Sequence, residues 1–102
     1  MNYIYLIQSL ENGYYKIGVS KHPQKRVKEH QTGNSSELKV VEEYLTDLAF
    51  QIEKVLHRRY SYARKNGEWF DIGIKEEASF QRDCKKIEEN LKAIKNNDSV
   101  FI

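Results

Sequence analysis

Side chains capable of phosphate chemistry recur at telling spacings in the first sixty residues. Phenols stand at Tyr3 and Tyr5, and an ammonium at Lys16 sits inside "YYKIGVS". A guanidinium and an imidazole follow at Arg26 and His30, then a carboxylate and a second imidazole at Glu53 and His57. Each of the last two pairs is four residues apart, so on a helix each projects from one face. A guanidinium is a planar, permanently charged fork suited to phosphate. Glu53 lies between Ile52 and Val55, in what reads as a buried stripe, where an ionised carboxyl needs a partner, a hydrogen bond or a metal. Pairing with Arg58 or Lys54 and solvent, or holding a cation, are both open to it. His22 reads as solvated and takes no role.

The elements that must position these groups can be read from periodicity and turn residues. "NYIYLIQSL" and "YYKIGVS", separated by "ENG", predict a hairpin with a two-residue turn. In either turn register Tyr3, Tyr5 and Ile7 share a face with Tyr14, Lys16, Gly18 and Ser20. Ile4, Leu6, Tyr15, Ile17 and Val19 take the opposite face and the core. Lys16 is then placed beside Tyr5 on the other face, with Gly18 leaving room for a backbone or ligand to approach; an ordinary amphipathic hairpin with a wet face is the plain alternative. "KHPQKRVKEHQTG" predicts a short helix with Pro23 in its first turn, Val27 as its anchor on the sheet and Gly33 at its end. "ELKVVEEYL" predicts a third strand. A helix is predicted from Asp47 to about Arg64, then a turn and a short extended piece at "NGEWFDI". A last helix spans about 75–96 on the stripe Phe80, Cys84, Ile87, Leu91 and Ile94. The fold class is α+β: a small three-stranded, mainly antiparallel sheet flanked by helices, in a single domain over 1–102.

Composition narrows the function classes. With 39% hydrophobic and 31% charged residues the 102-residue chain suits a soluble globular domain, and its one cysteine excludes an intramolecular disulfide. No apolar run is long enough to span a bilayer, and the N-terminus lacks a signal-peptide pattern; a cytoplasmic protein is expected. The net charge of +2 is small, but residues 16–30 hold Lys16, Lys21, Lys25, Arg26 and Lys28 against one acid, Glu29. Focused positive charge of this kind suits a phosphate-bearing partner, with a solvated helix face as the plain alternative. Neither a zinc-finger spacing nor a helix-turn-helix pattern is present.

Taken in order, "YIYLIQSLENGYYKIG", Arg26, His30, "AFQIEKVLHRRY" and "GEWF" at 67–70 resemble the GIY-YIG nuclease superfamily, in particular its small phage and bacterial branch with "YKIG", "IE..LH" and "GEWF". The resemblance covers residues 3 to about 72. "YIY" (3–5) stands for the first motif strand and "KIG" (16–18) for the second. Tyr3 replaces the first motif glycine, and Lys16 replaces the second motif tyrosine; the adjacent Tyr15 reads as core. The distal asparagine of the family has no equivalent, since Asn66 precedes "GEWF".

The resemblance implies a metal-dependent endonuclease that hydrolyses DNA phosphodiester bonds with Mg²⁺ or Mn²⁺. By position it makes Tyr5 the activator of water, Arg26 the phosphate-stabilising cation, His30 an assisting group and Glu53 the metal ligand. A free phenol has a pKa of about 10. Lys16 is therefore expected to bias Tyr5 toward phenolate or to hold the attacking water. Lys21, Lys25 and Lys28 are expected on DNA, and Gly18 to admit the phosphate. Trp69 and Phe70 read as core, with base stacking by Trp69 as the alternative. The competing readings are a nucleic-acid-binding module of the same fold that cannot cut, and a small protein-interaction domain with a coincidental hairpin motif.

Overall fold

The computed structural model describes residues 1–33 and 35–97. Strands β1 (Asn2–Ser9) and β2 (Tyr15–Ser20) lead into helix α1 (Pro23–Thr32), then β3 (Leu38–Thr46) and α2 (Ala49–Arg59). A 3₁₀ turn at Ser61–Ala63, the short β4 (Trp69–Phe70) and the long α3 (Ile74–Asn97) complete the order. The strands form one antiparallel sheet in the order β3-β1-β2-β4. The expected α+β class and antiparallel sheet are what the structure shows, with one strand more than expected. Trp69 and Phe70 pair with Lys16 and Tyr15, so the short extended piece is part of the sheet. The expected tail "NNDSVFI" lies outside the described residues from position 98 onward.

The hairpin turn is longer than two residues. Leu10–Gly13 form the loop, closed by Ser9 N–H to the Tyr14 carbonyl (2.9 Å) and Gly13 N–H to the Ser9 carbonyl (2.8 Å). Gly13 takes a φ of +76°, a left-handed conformation that favours glycine. Because the loop is even in length, the side-chain parity of the two strands is the expected one. Tyr5 pairs with Gly18, Ile7 with Lys16, and Leu6 with Ile17 on the opposite face. A bulge in β3 between the partners of Leu6 and Ile7 breaks its alternation. It sends Leu38 and Val40 to the Tyr5 side, while Val41 and Tyr44 pack on the other.

Both faces of the sheet are covered, the second by α1 as the Val27 anchor predicts, so the alternative of a wet second face is not what forms. Ile4, Leu6, Tyr15 and Ile17 pack against Ile52, Leu56, Phe80, Cys84 and Ile87 from α2 and α3. On the other side Tyr5 and Ile7 pack with Val27 and Leu38, so α1 docks through its one apolar anchor. Helix α2 is shorter than the periodicity predicts. Thr46 Oγ1 accepts the Leu48 N–H (3.1 Å), which holds Asp47 and Leu48 outside the helix. At the other end the chain tightens into the 3₁₀ turn after Arg59, with Ala63 N–H on the Tyr60 carbonyl at 2.9 Å.

Candidate active site

The site forms where β4 stops. That strand pairs only with Tyr15 and Lys16, so the outer edge of β2 is left without a strand partner from Ile17 onward among the described residues. The Ile17 carbonyl on that edge is met instead by His57 Nε2 of α2 at 2.9 Å. An accepting carbonyl requires the proton on Nε2, which fixes the role of that nitrogen. The His57 ring also stands edge-on to Phe70, with centroids 5.2 Å apart. One helical turn before this pinned imidazole, Glu53 is carried to the same edge, half-buried.

From the other face the Tyr5 phenol reaches the edge by crossing Gly18. A Cβ built on Gly18 would lie 2.6 Å from Tyr5 Cζ, and nearer still to the hydroxyl. Gly18 is therefore a packing glycine under the phenol. The expectation that it leaves room for a phosphate is corrected, because the tyrosine already fills that space. Tyr5 itself is 2% exposed.

Helix α1 supplies Arg26 and His30 from one face, as their spacing predicts. The Arg26 guanidinium acts on the Tyr5 hydroxyl by charge and hydrogen bonding, and also binds Glu29 at 3.2 Å. Burial nevertheless dominates and raises the Tyr5 pKa, with Glu53 and Glu68 pushing the same way. Burial also raises Glu53, an effect that His57 offsets and Glu68 reinforces. His30 is lowered by burial, then by the Lys16 and Arg26 charges, against Glu68 and Glu29. Tyr5, Lys16, Arg26, His30 and Glu53 are thus brought within electrostatic reach of a common neighbour set, although α1 and α2 lie on opposite faces of the sheet.

Lys16 is placed differently from its expected use. Its ammonium is 3.2 Å from the Glu68 carboxylate and 5.9 Å from the Trp69 ring centroid, largely shielded at 17% side-chain exposure. The cation beside Tyr5 is Arg26, and the phenol is shifted away from phenolate, so the expected activation of Tyr5 by Lys16 is not what the geometry provides. Glu68 is the group that the sequence reading missed. It acts on Tyr5, His30 and Glu53, and its signal was present as the acid of "GEWF", following Gly67 with its φ of +65°.

The basic residues divide. Lys25 and Arg26 line a shallow cavity of about 240 Å³ with Ser20, His22 and Glu29, beside the open edge of β2. Lys21 and Lys25 border a second, more open one with Tyr3 and Pro23. Lys28 is exposed but sits two residues from both Arg26 and His30, on another side of α1, and is not brought to the site.

A model of the T5orf172 domain matches residues 2–80 of the chain. The chain belongs to the T5orf172 domain family. These are small phage-associated domains related to nuclease-like folds, and membership points toward a nuclease-like or DNA-binding role. No curated protein and no solved structure matches the chain. In this T5orf172 domain the matched span holds all four strands, α1 and α2, and therefore every group described above; most of α3 lies beyond it. Among the described residues no helix is long and apolar enough to cross a membrane.

Proposed function

We propose that this T5orf172 domain is a GIY-YIG-type endonuclease that hydrolyses DNA phosphodiester bonds with Mg²⁺ or Mn²⁺, in the cytoplasm. The observation that carries the reading is Glu53: a half-buried carboxylate that forms no salt bridge among the described residues, yet stands near a second carboxylate, Glu68. Neither Arg58 nor Lys54 pairs with it. A half-buried carboxylate without an ion-pair partner, its neighbour Glu68 already engaged by Lys16, suits a cation. No group of three or more His, Cys, Asp or Glu residues stands ready for a metal among the described residues, so a zinc-type donor set is missing. One or two carboxylate oxygens fit Mg²⁺, which keeps its own waters and takes the rest of its shell from phosphate.

A divalent cation held at Glu53, when bound, supplies Lewis-acid stabilisation of the charge that builds on the phosphate oxygens. Arg26, half-exposed at 49%, offers its fork to a non-bridging oxygen of the same phosphate. Tyr5, held as the neutral phenol by its raised pKa, orients water as a hydrogen-bonding group rather than as a phenolate base. His30, whose lowered pKa keeps it neutral at pH 7, can accept the proton of that water. Lys16 fixes Glu68 through their ion pair, and Lys21 and Lys25 take flanking phosphates of the strand.

The runner-up is a DNA-binding module of this fold that cannot cut. The burial of Tyr5 and the engagement of Lys16 by Glu68 favour it. Plasmid incubated with the protein and Mg²⁺, Mn²⁺ or chelator separates the two. Nicking that needs metal, and that falls at least about a hundredfold in Glu53→Ala, supports the enzyme. DNA binding without nicking in either metal supports the runner-up, and neither activity would leave a protein-interaction domain.

A further inference from the structure

A third cavity, polar and of about 190 Å³, lies between the β1–β2 loop and the turn that precedes β4. Tyr14, Trp69, Asn12, Lys65 and Asn66 line it, with Ser9, Ser36 and the Glu11 carboxylate completing the rim. Its walls are set by one backbone and one side-chain hydrogen bond. Lys65 N–H donates to the Trp69 carbonyl at 2.7 Å across the turn, and Asn12 Oδ1 accepts the Tyr14 N–H at 2.9 Å. The same indole that borders this cavity also lies under the Lys16 ammonium, so the cavity adjoins the catalytic cluster. It is smaller than a drug-sized ligand site, which begins at about 300 Å³. Two aromatic rings, an amide with donor and acceptor in one plane, and a lysine suit one planar, polar heterocycle carrying a phosphate nearby.

We infer that this cavity receives an unpaired nucleobase of the DNA strand, stacked on Trp69, with the Asn66 amide at the edge of the base and Lys65 on the adjoining phosphate. The inference rests on the DNA-binding part of the proposed function, and it names the substrate as a strand with an accessible base. Asn66 then acts as the reader of base identity and Trp69 as the sequence-tolerant platform.

Trp69 is the chain's single tryptophan, so the fluorescence comes from one ring bordering this cavity and the Lys16 ammonium, and the abasic strand separates a base in the cavity from backbone binding nearby. The full chain, kept in chelator to prevent cleavage, is titrated with a short single-stranded oligonucleotide, with an abasic strand of equal length, and with a free nucleoside monophosphate. The base-bearing strand is expected to quench the fluorescence and the abasic strand to leave it unchanged. Trp69→Leu should weaken binding of the base-bearing strand about tenfold, to the level of the abasic strand, while Trp69→Phe retains most of the affinity. Asn66→Ala, at an exposed position, should keep the quench and lose the preference among bases. Equal quenching and affinity with the abasic strand would overturn the inference, as would a monophosphate binding as tightly as the strand. Metal-dependent nicking without base-dependent quenching would defeat this inference alone; quenching without nicking would defeat the nuclease reading alone.

Discussion

On the face of the sheet beneath α2 and α3, Ile4, Leu6, Ile17, Ile52, Leu56 and Phe80 interlock almost without exposure, and the cluster extends along α2 and along α3 from Phe80 to Leu91. On the face beneath α1 the buried cluster is Tyr5, Ile7, Val27 and Leu38; Val27 is the helix's one apolar member of it, helped by the Gln31 side chain, which accepts the Leu38 N–H at 2.8 Å and donates to the Ser36 carbonyl at 2.7 Å. The first face holds the domain together. The second is thin, and one of its few buried members carries a hydroxyl that belongs to the site. Polar groups need positions where water and a phosphate can reach them, and a small core leaves room for that at its border. Arg26 and His30 therefore ride on the weakly anchored helix, while Glu53 projects from the strongly anchored one. The site lies at the sheet edge because only there can groups from both faces meet.

Truncating each anchor tests this division most strongly. Leu56→Ala should cost about 2–5 kcal/mol of stability, since it removes a fully buried side chain from the large cluster. Val27→Ala removes fewer methyl groups at the edge of a small cluster and should cost only about 1–2 kcal/mol. Urea denaturation measures both. Under conditions where each variant is folded, DNA cleavage should follow the opposite order, because only Val27→Ala loosens the helix that carries Arg26 and His30. A larger loss of cleavage in Leu56→Ala would show that α1 does not position the site.

The sequence made one side of this comparison plain and the other only partly so. Alternation along β1 and β2 separated Ile4 and Leu6 from Tyr5 and Lys16 correctly, because the loop, although longer than two residues, kept an even count. The stripe of α3 was legible from its helical period as far as Leu91, whereas Ile94, expected to continue it, is exposed. The pairing of Trp69 with Lys16 was not, since a strand of two residues has no periodicity of its own and is defined by its partner. Nor was the occupation of Gly18 by Tyr5, which depends on the direction taken by a long side chain across a neighbouring strand. The spacings did indicate that Arg26 with His30, and Glu53 with His57, would project together. They did not single out Glu68: it stood in "GEWF", but an acid beside a glycine turn looks like a solvated loop residue until its carboxylate is found beside Lys16 at 3.2 Å.

Glu53 offers a subtler test, in which stability and activity should move in opposite directions. Burial raises its folded-state pKa above the ordinary carboxylate value, with Glu68 adding to the effect. The folded protein therefore holds this proton more tightly than the unfolded chain. The contribution of the group to stability is greatest below the ordinary value of 4.5 and is lost as pH rises through the folded pKa. Glu53→Gln removes the ionisation, so at pH 7 the urea midpoint should rise modestly while metal-dependent cleavage is lost. Below pH 4 the difference in midpoint should shrink. A variant less stable than the parent at pH 7 would mean that the carboxylate is held by favourable contacts rather than tolerated for function.

The smallest expected effect concerns how the ion pair at the β2–β4 junction communicates with α1. Burial is the first cause of the lowered His30 pKa, and the Lys16 charge is the next. With its folded pKa depressed below 6.5, His30 contributes stability that is present above that value and lost as pH falls through the folded pKa. Lys16→Met removes a repelling cation and releases Glu68, whose charge favours the imidazolium. Both changes act in one direction, so the His30 pKa followed by NMR titration should move back up toward 6.5 without reaching it, since the burial is untouched. The acid-side loss of stability should narrow by the same shift. An unchanged or lower value would mean that Glu68 swings away once Lys16 is gone. The pair would then serve to hold the "GEWF" turn in place rather than to set the charge at the site.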